Sequence, residues 1–155
     1  MISLIDANIL IDAGKARLIP KLVEASGACP WRLTREVFDE LESVPDRAKL
    51  HPLILASPNV SSAEAKTSTD LVTGGPWGTL GVGEASSIAA AFHDPTLEFV
   101  TWDIKAAWRS LHELRGRTTV GHDWLQHLVD EGQLDRADVD KIARADKTRR
   151  HPRWW

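Results

Sequence analysis

Apolar runs that end at an acidic residue alternate along the chain with segments of helical periodicity. The runs at 2–5 and 99–102 stop directly before Asp6 and Asp103, which predicts two buried strands. Further strands are predicted at 30–33 and 118–120, and helices at 15–25, from Thr34 onward, around 85–92, at 106–114, around 124–128 and from Asp135 onward. This alternation is typical of an α/β fold with a mainly parallel sheet. Because ligands bind beyond the carboxyl ends of parallel strands, Asp6 and Asp103 are candidate site residues.

Length and composition are those of one globular domain. The chain has 155 residues, of which 43% are hydrophobic and 26% charged, and this excludes an intrinsically disordered chain. The single cysteine, Cys29, excludes an internal disulfide and a cysteine-rich zinc site. No apolar run reaches the roughly 18 residues of a membrane span, and the first residues lack the basic region of a secretory signal. We therefore expect a cytoplasmic protein that does not associate with membranes.

Charge is distributed unevenly along the chain. The net charge is −3, yet the positive residues concentrate beyond residue 104. We expect a single domain at 1–145, followed by a basic, tryptophan-ended tail at 146–155. A basic end can attract an anionic ligand to an otherwise acidic protein, and a solvated tail explains the same pattern equally well.

Four acidic residues stand where a strand ends or a helix begins or continues: Asp6, Glu40, Glu84 and Asp103. Each has a purely structural interpretation when taken singly. Asp6 and Asp103 can cap the helices that follow them, and Glu84 favours the positive end of its own helix. The helix that carries Glu40 also carries other acids that remain alternatives to it: Glu36, Asp39 and Glu42.

Taken together and in order, these residues resemble the PIN-domain nucleases, named for the N-terminus of the PilT protein, and especially the VapC-type toxins. That family shows a strand followed by Asp-x-Asn, a helix-borne Glu before an apolar residue, an acid that opens a small-residue helix, and Thr-x-Asp at a strand end. The matching residues are Asp6 with Asn8, Glu40 before Leu41, Glu84 before Ala85, and Thr101 with Asp103. The resemblance covers about residues 1–108 and implies a single three-layer domain with helices on both sides of the sheet.

The resemblance implies a metal-dependent endoribonuclease that hydrolyses RNA phosphodiester bonds and leaves a 5′-phosphate and a 3′-hydroxyl. Mg²⁺ and Mn²⁺ are hard cations that prefer oxygen ligands, and they polarise a scissile phosphate. By the resemblance, Asp6 and Asp103 are the chief metal ligands, and Glu40 and Glu84 complete the cluster. Thr101 is expected to hydrogen-bond a metal water or a phosphate. Asn8 is expected to hold the loop after Asp6.

Partners follow from the same resemblance. They are single-stranded or structured RNA, a small antitoxin whose C-terminal segment covers the acidic pocket, and a second copy of the chain. Lys105 and Arg109 lie at i and i+4 on the helix after Asp103, and they can hold RNA phosphates, with Arg115 and Arg117 extending the track. A solvated helix face explains the same spacing.

Tryptophan is abundant, with seven residues and no tyrosine. Trp102, Trp108 and Trp124 are expected in the core. Trp154 and Trp155 follow a basic stretch, and three roles stay open for them: stacking on RNA bases, docking on a partner, or packing on the domain.

Three other functions remain as alternatives. One is a PIN-fold module that binds RNA or protein without cleavage, although the presence of all four acids disfavours it. Another is an RNA-processing nuclease that is not a toxin. The third is a different α/β enzyme with an acidic site. Haloacid-dehalogenase-like phosphatases need a second Asp where Asn8 stands, and response-regulator receivers need an acidic pair where Asp6 stands alone.

Overall fold

The computed structural model describes residues 1–56, 67, 70, 71 and 79–148. Its four-stranded sheet consists of β1 (Ile2–Ile5), β2 (Trp31–Arg32), β3 (Leu97–Thr101) and β4 (Thr118–Val120), in the order β2-β1-β3-β4. Every pair of these neighbouring strands is parallel. A parallel bridge between Leu33 and Ile54 continues the pairing beyond β2. The predicted α/β fold with its mainly parallel sheet is confirmed.

Helices connect the strands. They are α1 (Ala7–Lys15), α2 (Ile19–Ala25), α3 (Arg35–Asp39), a 3₁₀ helix (Arg47–Leu53), α4 (Val82–His93), α5 (Ile104–Glu113), α6 (Gly121–Asp130) and α7 (Arg136–Arg144). The start of α3 matches its prediction, because the Thr34 hydroxyl accepts a hydrogen bond from the Val37 amide at the helix N-terminus. None of these helices combines the length and hydropathy that a membrane crossing needs.

Two apolar clusters form the core, one on each face of the sheet. Successive strand residues point to opposite faces, so Ile5 and Val100 face one side, and Leu4 and Phe99 face the other. The first face is covered by α1, α2, α6 and α7, and the second by α4 and α5. The domain therefore has three layers, and the helices that follow β1 and β3 start at one edge of the sheet.

The predicted helix at 15–25 is two helices in the structure. Lys15 ends α1, Arg17 adopts a left-handed backbone with φ 61°, and α2 starts at Ile19. Ala13, Leu18 and Ile19, on both sides of this turn, are buried in the same cluster, so the apolar stripe continues across the break. Hydrophobic periodicity therefore fails to locate the break.

Three large apolar residues on the predicted helices are exposed, which contradicts the core prediction for Trp108. Trp108, Phe92 and Leu111 have exposed fractions of 57%, 48% and 40%. The core prediction is confirmed for Trp124, which is buried, and Trp102 is half-buried against the same cluster. The predicted tail at 146–155, including Trp154 and Trp155, lies outside the described residues from position 149 onward.

Candidate active site

The first two acids meet because their strands are neighbours. β1 and β3 pair in parallel with Ile5 opposite Val100, so both strands end at the same edge of the sheet. Asp6 follows β1, and its amide donates to the Val100 carbonyl at 3.0 Å. Asp103 comes two residues after Thr101, where β3 ends. The predicted convergence at the carboxyl edge is present.

Thr101 connects these two acids. Its hydroxyl is fully buried, donates to Asp6 Oδ2 at 2.7 Å, and accepts from the Asp103 amide at 3.0 Å. The hydroxyl proton of Thr101 is therefore engaged within the protein, and the expected contact with a phosphate or a metal water stays a prediction. Thr101 fixes the orientation of the Asp6 carboxylate and the start of α5 relative to each other.

Asp103 caps α5, as its structural interpretation predicts. Its Oδ1 accepts a hydrogen bond from the Ala106 amide at 2.9 Å. A cap of this kind uses one carboxylate oxygen. The structural and functional interpretations of Asp103 are therefore compatible.

Two glutamates converge on the N-terminus of α4. Glu84 Oε2 accepts from the Gly81 amide at 3.0 Å, and Glu40 Oε1 accepts from the Gly83 amide at 2.9 Å. The first amides of a helix have no partner within the helix, so both carboxylates satisfy donors that would otherwise be unpaired. Glu40 thereby links the end of α3 to α4.

The structure also decides between the acids of the α3 region. Among the alternatives, Asp39 is largely exposed and its Oδ1 lies 4.0 Å from Arg47 Nη2. Glu40 instead contacts α4 and raises the pKa of both Asp6 and Glu84. Glu40 is therefore the acid of this region that belongs with the other three.

Gly83 permits this arrangement. A Cβ atom at position 83 would overlap Glu40 Oε1 and lie 3.1 Å from Val37 Cγ2. A side chain there would displace the Glu40 carboxylate from the Gly83 amide and crowd Val37. The glycine before Glu84 thus leaves room for the Glu40 carboxylate at the start of α4.

The four acids share one electrostatic environment, and we call Asp6, Glu40, Glu84 and Asp103 the acidic cluster. Asp6 is 2% exposed, and its pKa is raised to about 7. Burial is the largest cause of this rise, the charges of Glu84 and Glu40 add to it, and the hydrogen bond from Thr101 opposes it. Burial, followed by the charges of Asp103 and Glu40, raises the pKa of Glu84. The cluster therefore carries negative charge that its own hydrogen bonds leave uncompensated.

The donor chemistry of the acidic cluster fits a hard divalent cation, because every candidate ligand is a carboxylate oxygen. No three His, Cys, Asp or Glu side chains in the described part of the chain form a group that could hold a metal ion. Glu40 and Glu84 each accept an amide hydrogen bond with one carboxylate oxygen, as Asp103 does, so each keeps a second oxygen that could hold a cation.

The members of the predicted basic track differ in their surroundings. Lys105 is exposed, and its charge partly offsets the rise in the pKa of Glu84, while Arg115 is exposed just after α5. The Arg109 side chain is 13% exposed and its Nε lies 3.0 Å from Glu113 Oε1, so it already has an ion-pair partner within α5. Arg117 Nη1 donates to the carbonyls of Ala91 and Asp94, so it holds the end of α4 rather than extending a track.

Asn8 lies half-buried in the first turn of α1. In residues 1–56 and 79–148, its side chain makes no hydrogen bond that would hold the loop after Asp6. The backbone hydrogen bond from Ala7 to Asp6 and the Thr101 hydroxyl orient the carboxylate instead.

The opposite end of the sheet holds an acid that the sequence analysis passed over. Glu98 lies in β3, and its Oε1 and Oε2 accept from the hydroxyls of Ser3 at 2.6 Å and Thr119 at 2.8 Å. It lines a cavity of about 280 Å³ together with Met1, Ser3, Ala28, Cys29, Pro30, Trp124 and His127. An acid between the apolar neighbours Leu97 and Phe99 was the available signal, since strand alternation points it to the opposite face.

No family model, no curated protein and no solved structure matches this chain in comparisons with known proteins. The resemblance to PIN-domain nucleases therefore rests on the order of the motifs in the sequence. It stays a prediction, and the arrangement of the four acids is the observation on which a function can be argued.

Proposed function

We propose that this chain is a metal-dependent endoribonuclease that uses Mg²⁺ or Mn²⁺ to hydrolyse RNA phosphodiester bonds. The observation that carries the proposal is that four carboxylates from separate parts of the chain meet at the carboxyl edge of the sheet. The charges of Glu84 and Glu40 help to raise the pKa of Asp6, and those of Asp103 and Glu40 help to raise the pKa of Glu84. Uncompensated charge of this kind is costly unless a cation neutralises it. Parallel sheets also place their ligands at this edge.

Each residue of the acidic cluster has a separate task in the proposal. Asp6 and Asp103 would be the chief ligands of the cation, and Glu84 and Glu40 would complete the set. When bound, the cation supplies charge neutralisation and polarises the scissile phosphate. Thr101 keeps the Asp6 carboxylate in place through the bond from its hydroxyl.

Lys105 supplies the positive charge that a phosphate needs when it approaches a group of acids. It lies on the first turn of α5, directly after Asp103, and is close enough to Glu84 to act on its pKa. An exposed ammonium at this position attracts the RNA backbone and offsets its repulsion from the carboxylates.

The finer parts of the proposal are supported by the resemblance of the motifs. They are a role as the toxin of a type II toxin–antitoxin pair, a small antitoxin partner, a homodimer, a cytoplasmic location, and single-stranded or structured RNA as the substrate. A nuclease with a role in RNA processing would use the same chemistry.

A second candidate is a module of the same fold that binds RNA or protein without cleavage. The hydrogen bonds that Glu40 and Glu84 accept from backbone amides favour it, because both carboxylates already have structural partners. The raised pKa of the buried Asp6 disfavours it, since a binding module has no need of a buried acid among other acids.

Cleavage of 5′-labelled RNA with Mg²⁺, with Mn²⁺ or with EDTA tests the proposal. We expect the wild type to cut in either metal and not in EDTA, and Asp103→Asn to be inactive in all three. Glu98→Gln is the matched control, because it removes an acid at the opposite end of the sheet. RNA binding without cleavage in any metal would support the second candidate, and cleavage in EDTA would contradict the proposal.

A further inference from the structure

Trp102 lies between two residues on which the acidic cluster depends. Thr101, directly before it, donates to Asp6, and Asp103, directly after it, caps α5. Side chains alternate between the two faces of an extended strand, so Thr101 points toward Asp6 whereas Trp102 packs against the apolar cluster that contains Val100. A displaced indole would therefore move the backbone at both of its neighbours.

Gly121 leaves the space that this indole occupies. β3 and β4 pair in parallel with Thr101 opposite Val120, so the next residues, Trp102 and Gly121, lie side by side. A Cβ atom at position 121 would overlap Cδ1 and Nε1 of the Trp102 indole and lie 2.9 Å from Ile9 Cδ1. Gly121 has no positive φ, so the contact requires its lack of a side chain rather than its backbone conformation.

His122 packs on the same indole. The two rings are stacked with their centroids 5.7 Å apart and their planes at 27°, and His122 is 6% exposed. Both residues at the start of α6 therefore contact Trp102, and Ile9 brings α1 to the same point. A side chain packed between regular elements in this way keeps one orientation.

We propose that Trp102 is a positioning residue, which Gly121 and His122 hold at the start of α6 so that Asp103 keeps its place in the acidic cluster. This inference rests on the proposed function, and it adds a support from α6, beyond the part of the chain that the motifs cover. Residues that orient a metal ligand change metal affinity roughly 10- to 100-fold when they are replaced. Packing of Trp102 should therefore be felt in the binding of the cation.

Amide hydrogen exchange tests the positioning without metal or RNA. In EDTA, the Asp103 amide is protected by its hydrogen bond to the Thr101 hydroxyl, and NMR follows its exchange. Gly121→Ala should speed this exchange about tenfold or more, because the methyl group displaces the indole. Trp102→Leu alone leaves a gap that this methyl group partly fills, so the double variant should exchange more slowly than either single variant.

Trp124→Phe is the matched control. Trp124 belongs to α6 and to the same apolar cluster, but it lies near the amino end of the sheet, where it lines the cavity with Ser3 and Glu98. Loss of part of its ring should lower the melting temperature and leave the exchange of the Asp103 amide as it is in the wild type.

Binding of the cation gives a second readout. Calorimetric titration with Mn²⁺ should give a dissociation constant about tenfold larger for Gly121→Ala than for the wild type. Trp102→Phe keeps an aromatic ring against His122, so its dissociation constant should lie between these two. Trp124→Phe should bind Mn²⁺ as the wild type does.

If the wild type binds Mn²⁺, either an unchanged exchange rate or an unchanged Mn²⁺ affinity in Gly121→Ala would overturn the inference. Equal changes in Trp124→Phe would also overturn it, because they would report a general loss of packing. The proposed function fails separately if the wild type binds no Mn²⁺ and cuts no RNA, and faster exchange in Gly121→Ala would then still show that Trp102 positions Asp103.

Discussion

At the carboxyl end of the sheet, Asp6 is buried among three other acids and its pKa rises to about 7. At the amino end, Glu98 is half-buried, and a neutral hydroxyl donates to each of its carboxylate oxygens. Both acids belong to the same sheet, yet of the two only Asp6 has other acids among the causes of its raised pKa, and it is there that we propose a cation binds. Neutral hydroxyl groups can therefore satisfy the hydrogen-bonding needs of a single carboxylate, but they cannot neutralise the charge of four.

The largest expected difference between the two ends is in catalysis. Asp6→Asn should reduce RNA cleavage at least a hundredfold, since a cation supplies several kcal/mol to such reactions. The cleavage rate of Glu98→Gln should stay within about twofold of the wild-type rate. Glu98 and its hydroxyl partners lie at the amino end of the sheet, away from the proposed chemistry. Initial cleavage rates in Mn²⁺ measure both. Equal losses in the two variants would remove the distinction between the ends.

The pH dependence of the free energy of unfolding should also differ between the two ends of the sheet. A carboxyl whose pKa rises from 3.8 to about 7 on folding takes up a proton, so without metal the folded state loses stability as the pH rises from about 4 to about 7. The full loss amounts to up to about 4 kcal/mol. Asp6→Asn should remove most of this loss and leave the part due to Glu84, whose pKa is also raised, and Glu98→Gln should retain all of it. Urea unfolding in EDTA at several pH values is the measurement, and parallel curves for wild type and Asp6→Asn would refute the account.

The close approach of α3 and α4 predicts a smaller effect. Gly83→Ala should destabilise the fold by about 1–3 kcal/mol, because its methyl group would overlap the Glu40 carboxylate. Gly27→Ala is the control, since a Cβ there meets only the Glu24 carbonyl at an ordinary 3.5 Å. Thermal melting compares the two. A neutral Gly83→Ala would show that the Glu40 carboxylate can move away from the start of α4 at no cost.

The smallest effect concerns Arg117, near the amino end of the sheet. Arg117→Gln should destabilise the fold by about 1 kcal/mol through lost bonds to carbonyls, and it should leave RNA cleavage unchanged. Arg115→Gln, at an exposed neighbour, should change neither quantity. If Arg117→Gln lost RNA cleavage but kept full stability, Arg117 would have to contact RNA, as the basic track predicts.

Much of the sheet and of the acidic cluster was predictable from the sequence, because an apolar strand followed by an acid is a local pattern. Asp6, Thr101 and Asp103 lie at the ends of two such strands. Because β1 and β3 are adjacent and parallel, their carboxyl ends lie together. Which acid of the α3 region joins them was not predictable. That choice depends on how Glu40 meets the Gly83 amide across two packed helices.

The exposed side chains were predictable only in part. Trp108 carries the local signal of a core residue, yet its exposure depends on which face of α5 covers the sheet. Arg109 and Lys105 share a spacing that suggests one face, but the ion pair of Arg109 with Glu113 separates their roles. Pairing of this sort is decided by packing, which hydrophobic periodicity does not report.

The thermal stability of the wild type and of Asp6→Asn during a titration with Mn²⁺ tests the central claim most directly, and it requires no knowledge of the RNA target. If the acidic cluster binds the cation, Mn²⁺ at 100 times its dissociation constant should stabilise the wild type by about 2.7 kcal/mol. Asp6→Asn should show little of this gain, and Glu98→Gln should show all of it. An equal gain in wild type and Asp6→Asn would place the cation elsewhere and contradict the account.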